Sequence, residues 1–132
     1  MVDREGSRAL EQVVGQDESG RLCLIGGRCD SCGEIRYPYR ELCPIDLGEM
    51  RRHALSGHGV VYEAVLVALA PSGFQAPYWV GYVDMAEGVR VFAPLAVAEG
   101  APEPKHGDRV RVEFHSFGDG TDQFVRPVFH QR

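Results

Sequence analysis

Lysine is almost missing from this chain: Lys105 is the only one among 14 basic residues. Basic charge is short as a whole, and the 132 residues carry a net charge of -5. A protein that tracks phosphates needs a basic surface, so non-specific nucleic-acid binding is disfavoured. Long apolar runs are lacking too. The most hydrophobic stretch, Val60 to Ala70, is short and interrupted by Glu63, which excludes it as a membrane-spanning helix. The opening Met-Val-Asp-Arg-Glu-Gly has no apolar signal core, so no membrane association and a cytoplasmic location are expected. G-x-S-x-G, H-E-x-x-H, a phosphate loop and G-x-G-x-x-G are all missing. The constellations that would mark a hydrolase, a metalloprotease or a nucleotide enzyme are therefore lacking, and no catalytic residue is assigned.

Cysteine is present, and it is patterned. In a reducing compartment four cysteines point to metal binding rather than to disulfides. Cys29-Asp30-Ser31-Cys32 is an intact C-x-x-C, and Cys43-Pro44-Ile45-Asp46 repeats its form with aspartate in the last place. Two such knuckles at this separation read as a zinc ribbon. The expected ligand set is Cys29, Cys32, Cys43 and Asp46, since a carboxylate is an acceptable zinc donor. Three thiolates and a carboxylate carry the same formal charge as four thiolates, although the harder oxygen weakens the site. His53 and Cys23 are alternative fourth donors, and a metal-free knuckle held by packing is the bland alternative. A structural Zn²⁺ is expected, because the pattern offers neither an open coordination position nor a nearby base.

The remaining pattern is mainly β. Residues 1–20 are polar, with Ala9, Leu10, Val13 and Val14 at helical spacing after a Ser7 cap, and predict a short N-terminal helix. Residues 21–54 are expected to form the rubredoxin-like zinc ribbon, with strands entering and leaving the first knuckle. Residues 55–132 hold five strand-like runs, around residues 59–67, 78–85, 89–95, 109–115 and 124–129. Glu87-Gly88 is expected to turn the second run into the third. Five short strands without a helix of any length predict a small closed barrel of the OB type, with a β-sandwich as the rival.

Taken in order, these residues resemble a family. Ile25-Gly26-Gly27-Arg28-Cys29-Asp30-Ser31-Cys32-Gly33, then Tyr37-Pro38-Tyr39-Arg40 and Cys43-Pro44, are similar to the zinc-ribbon/OB-fold acyl-CoA-associated proteins. Gly57-His58-Gly59-Val60-Val61, the stretch from Gly73 to Asp84, and Glu87-Gly88-Val89-Arg90-Val91-Phe92 agree with that family's barrel. The departure is Asp46, where the family pattern has cysteine. The resemblance implies a small non-catalytic subunit that binds a thiolase-like enzyme, either an acyl-CoA C-acyltransferase or a retro-aldolase. The active-site groups would belong to that partner, and this chain would be a scaffold that helps to form the acyl-CoA channel. Degradation of an aromatic compound or a steroid side chain is the implied setting.

Five aromatic or arginine positions are candidate contacts to the partner or to acyl-CoA: Tyr37, Tyr39, Arg40, Phe74 and Tyr78. Aromatics beside arginine anchor interfaces, and arginine pairs with phosphates; the bland alternative is that they fill the joint between modules. Two other functions remain open at this point, a single-stranded nucleic-acid-binding OB module and an independent acyl-CoA-binding protein. His115 falls on the strand face opposite Val110, Val112 and Phe114. His106 and His130 have no evident partner.

Overall fold

The computed structural model describes residues 14–68, 77–117 and 124–132. Two compact units divide the chain, one gathering residues through Ser56 with Glu87–Val89, the other Gly57–Ala86 with Arg90–Arg132.

The first unit is a small sheet centred on β2 (Leu22–Cys29), which pairs antiparallel with β1 (Val14–Gln16), β3 (Ile35–Arg36) and β4 (Met50–Ala54). Cys23, Leu24 and Ile25 are all buried in β2. A strand covered on both faces reads as a continuous apolar run, not as an alternation. The expected N-terminal helix lies mostly outside the described residues. Where it can be checked, the outcome differs: Val14 opens β1 and pairs with Leu24. A β-branched residue suits that half-buried pairing better than a frayed helix end. At the end of β1, Asp17 Oδ1 accepts the amides of Ser19 and Arg21 and closes the turn into β2. Beyond the first knuckle, Met50 is buried with Cys29 and Cys43, and Tyr39 packs against the three.

The second unit is a closed barrel in the order β5-β6-β7-β9-β8. Its strands are β5 (His58–Val67), β6 (Tyr78–Met85), β7 (Arg90–Ala96), β8 (Arg109–Phe117) and β9 (Phe124–Gln131). Closure comes from a parallel pairing of β7 with β9, Leu95↔Phe129, and from β5 with β8, Gly59↔Val110. Alternation is cleanest in β7, where Val91, Ala93 and Leu95 point inward while Arg90 and Phe92 point out. Val61, Val83, Val110 and Phe129 complete the buried interior. Each fully buried aliphatic or aromatic side chain of this kind contributes about 1.5–3 kcal/mol. A bulge at Tyr62 shifts the register of β5 on β6 between Val61 and Glu63, which bends the strand around the barrel. Gly81 sits where the bend brings backbones together: a Cβ there would lie 2.6 Å from the Glu63 carbonyl oxygen. The expected hairpin at Glu87-Gly88 is present, with Gly88 at φ 90°. The barrel is the predicted one, and the sandwich rival is set aside.

Candidate metal centre

The two knuckles fold as copies of one another. In the first, the Gly33 amide donates to the Cys29 carbonyl at 3.0 Å and the Cys29 amide to the Glu34 carbonyl at 2.8 Å. In the second, the Leu47 amide donates to the Cys43 carbonyl at 2.9 Å and the Cys43 amide to the Gly48 carbonyl at 2.8 Å. Both turns need a residue in the left-handed region, Gly33 at φ 78° and Leu47 at φ 61°. Glycine adopts that conformation freely, whereas leucine pays for it.

This repetition puts Asp46 where the first knuckle has Cys32. The donor atoms of Cys29, Cys32, Cys43 and Asp46 all lie within 4.8 Å of one another. Cys32 Sγ is 3.7 Å from Cys43 Sγ, and Cys29 Sγ is 3.4 Å from Asp46 Oδ1. Around a tetrahedral zinc, bonds of about 2.3 Å to sulfur and 2.0–2.2 Å to oxygen give edges of about 3.8 Å and 3.5 Å. The four residues therefore fit a metal ion of this kind. His53, on β4 opposite Gly26, and Cys23, buried in β2, are not members of the cluster. Cys23 is a core thiol whose pKa is raised by burial.

Two further residues shape the site, and ligand spacing alone gave no signal for either. Ser31 donates its hydroxyl to Asp46 Oδ2 at 2.9 Å and lies 3.3 Å from Cys29 Sγ. The Gly48 amide donates to Asp46 Oδ1 at 2.8 Å. These bonds, Gly48 first and then Ser31, hold the Asp46 carboxyl down at about 2. The Ile45 amide points at Cys43 Sγ at 3.4 Å. Cys29 is lowered by the Ser31 hydroxyl and then by the Cys32 amide. The Glu34 amide works to lower Cys32, but desolvation and the neighbouring Cys29, Cys43 and Asp46 outweigh it and push that thiol up to about 11. Cys32 therefore keeps its proton against the negative charge gathered beside it. A divalent cation that replaces this proton would remove the conflict.

The other predicted site residues fall in different places. Tyr39 packs on the Cys29, Cys43 and Met50 cluster, its hydroxyl lies 3.4 Å from the Met50 carbonyl, and Arg52 sits over its ring at 5.5 Å. Tyr37 is half-buried, Arg40 is exposed, and Tyr78 is half-buried at the start of β6. Phe74 lies outside the described residues. Of the histidines, His106 Nδ1 meets the Tyr62 carbonyl at 2.9 Å, and His115 pairs with His130.

Comparison with known proteins places this geometry. A DUF35 domain-containing scaffold protein of Methanocaldococcus jannaschii is 43% identical over 110 residues, covering 80% of this chain and 77% of that relative. This chain belongs to the DUF35 family. The family model for the ChsH2 C-terminal OB-fold domain matches residues 52–115. A second relative of this DUF35 chain is the benzoylsuccinyl-CoA thiolase subunit BbsA of Thauera aromatica, 38% identical over 101 residues, with 75% of this chain and 68% of that one covered. Among solved structures, the Ltp2-ChsH2(DUF35) aldolase superposes with a TM-score of 0.69 at 26% identity, over 83% of this chain and 84% of the other. The resemblance read from the ribbon and barrel residues is thus upheld at the level of the family.

Proposed function

We propose that this DUF35 chain is the non-catalytic subunit of a thiolase-type acyl-CoA enzyme, an acyltransferase or a retro-aldolase. Residues 21–54 act as a ribbon fixed by Zn²⁺, and residues 55–132 act as the barrel. The observation that carries the reading is exposed apolar surface on both units. Leu42, Ile45 and Leu47 are exposed around the second knuckle, and Leu47 is 72% accessible. On the barrel Tyr62, Tyr82 and Phe92 are exposed, with the Tyr82 and Phe92 rings 5.0 Å apart. Arg90 lies over the Tyr62 ring at 3.6 Å and pairs with Asp84 at 2.7 Å. Aromatics and arginine grouped in this way are what the centre of an interface is made of. A monomer gains nothing by leaving such patches in water.

A relative described as a thiolase subunit and a similar chain found in an aldolase complex support the partner class. In this reading the zinc holds the knuckles so that the apolar residues around the second one are presented rigidly. Tyr37, Tyr39, Arg40, Phe74 and Tyr78 contribute to the partner or acyl-CoA contact, with the arginine suited to coenzyme A phosphates. The bond-making groups sit in the partner.

The test is native mass spectrometry of the chain captured gently from its own cells, beside a Phe92→Arg variant. A complex with a thiolase-like subunit, lost in the variant, supports the proposal. A lone chain would overturn it, as would steeply salt-dependent binding to single-stranded nucleic acid.

A further inference from the structure

A second constellation lies on the barrel, a unit whose sequence holds no cysteine. Residues 111, 113 and 115 alternate along one face of β8. The register Arg111↔His130, Glu113↔Val128 and His115↔Arg126 sets His130 on the same face of β9. His115 Nε2 lies 2.8 Å from His130 Nε2. His130 Nε2 is 3.1 Å from Glu113 Oε2, and His115 Nε2 is 3.9 Å from that same oxygen. The other carboxylate oxygen, Oε1, is held by Arg111 at 3.0 Å, which leaves Oε2 turned toward the imidazoles.

Protons do not satisfy this arrangement well. A neutral imidazole has one N–H and one acceptor nitrogen. If His115 donates from Nε2, His130 Nε2 becomes an acceptor and faces a carboxylate oxygen with no proton between them. If His130 donates instead, one proton must serve two acceptors that lie in different directions. A cation removes the conflict by taking all three lone pairs at once. The circle through the three atoms has a radius of about 2 Å, the length of zinc bonds to imidazole and carboxylate. The ring planes differ by 19°, with centroids 5.0 Å apart, so a modest turn of each ring aims both nitrogens at one point. Hydrogen bonding of a ligating carboxylate through its second oxygen, as Arg111 provides, is a normal outer contact of metal sites.

We propose that Glu113, His115 and His130 form a second metal site, open to solvent, for a first-row divalent cation such as Zn²⁺ or Co²⁺. Two imidazoles and a carboxylate are a harder set than the thiolate-rich ribbon and suit those ions. The side chains are 43%, 42% and 29% accessible in that order. Three protein donors therefore leave at least one position for water or for a group from another molecule. The site is independent of the ribbon and of the partner reading.

The experiment loads the full-length metal-free chain with Co²⁺ and follows binding by equilibrium dialysis and visible absorption. Two equivalents are expected. One shows intense sulfur-to-metal charge transfer, and the other shows only the weak bands of nitrogen and oxygen ligands. His115→Ala and His130→Ala should each weaken the second equivalent by at least about tenfold and leave the first intact. Zn²⁺ added beyond one equivalent to the unaltered chain should shift the ring resonances of these two histidines, which needs no variant to fold. A single equivalent would overturn the proposal. So would a second equivalent indifferent to both substitutions, or histidine resonances that do not move.

Discussion

Gly48→Ala is the sharpest test of the ribbon site, because it touches the donors without being one. A Cβ at residue 48 would lie 2.5 Å from Ser31 Oγ, 2.9 Å from Asp46 Oδ1 and 3.3 Å from Cys29 Sγ. Ordinary contact begins near about 3.5 Å, so the hydroxyl must retreat by roughly 1 Å and the carboxylate by about half that. Either movement strains the 2.9 Å bond between them. The 2.8 Å amide contact that lowers Asp46 is lost or lengthened as well. Gly48 is not among the positive-φ glycines, so alanine brings no backbone penalty and the effect is confined to the donors. Disturbing groups that orient ligands costs about 10–100-fold in metal affinity, and that is the expected fall in zinc affinity measured by chelator competition. Adding Ser31→Ala removes the closest clash. The double variant should therefore lose less than the two single losses combined, a coupling that only touching residues show. Affinity within twofold of the unaltered chain would refute the argument that Asp46, as positioned by Ser31 and Gly48, holds the metal.

Three other outcomes are expected. Leu47→Gly should raise the stability of the metal-free chain by up to about 1 kcal/mol, since leucine pays roughly 1–2 kcal/mol for the left-handed region and glycine returns part of that as chain entropy; urea unfolding measures it. Burial pushes the Tyr37 phenol up to about 12, above its ordinary value near 10. The neutral form is therefore favoured by folding, so this contribution is full below about pH 10 and is lost as pH rises toward 12; the ultraviolet titration of phenolate should show one tyrosine ionising late. Phe129, fully buried between β7 and β8, should cost about 3–5 kcal/mol when replaced by alanine, read as lost thermal stability with metal still bound.

Much of this molecule could be read before it was seen, and the reason is local. Strand runs such as 89–95 alternate, turn glycines stand where φ must be positive, and the knuckles carry their own spacing. What escaped depends on contacts between distant residues. Val14 was placed on a helix because two adjacent valines in a short apolar set fit either period, and pairing with Leu24 decides the matter. Strand β4 escaped because Arg51 and Arg52 hide its pattern. His130 had no partner in the sequence because fifteen residues separate it from His115. The outward set Arg111, Glu113, His115 was legible, but the register that adds His130 to it was not. Ser31 and Gly48 escaped because spacing rules name ligands, not the groups that hold them.

Asp46 departs from the family's cysteine pattern, and the fold shows what holds it in that place. In each knuckle the last donor residue accepts an amide from two residues further on: Glu34 for Cys32, Gly48 for Asp46. The first donors follow the same rule, with Ser31 for Cys29 and Ile45 for Cys43. Aspartate has thus taken over a cysteine's place in an unchanged backbone frame. Its second oxygen does what a thiolate could not, because it accepts the Ser31 hydroxyl while the first faces Cys29. That extra bond ties the two knuckles together even without a metal. As a zinc donor the harder oxygen would weaken binding somewhat, while the Ser31 hydroxyl and the Gly48 amide keep the carboxylate fixed. Asp46→Cys should therefore bind zinc more tightly, yet leave the metal-free ribbon looser than the natural one. Faster amide exchange around Ser31 and Gly48 in the metal-free variant would show this, and equal exchange would mean that the carboxylate ties nothing.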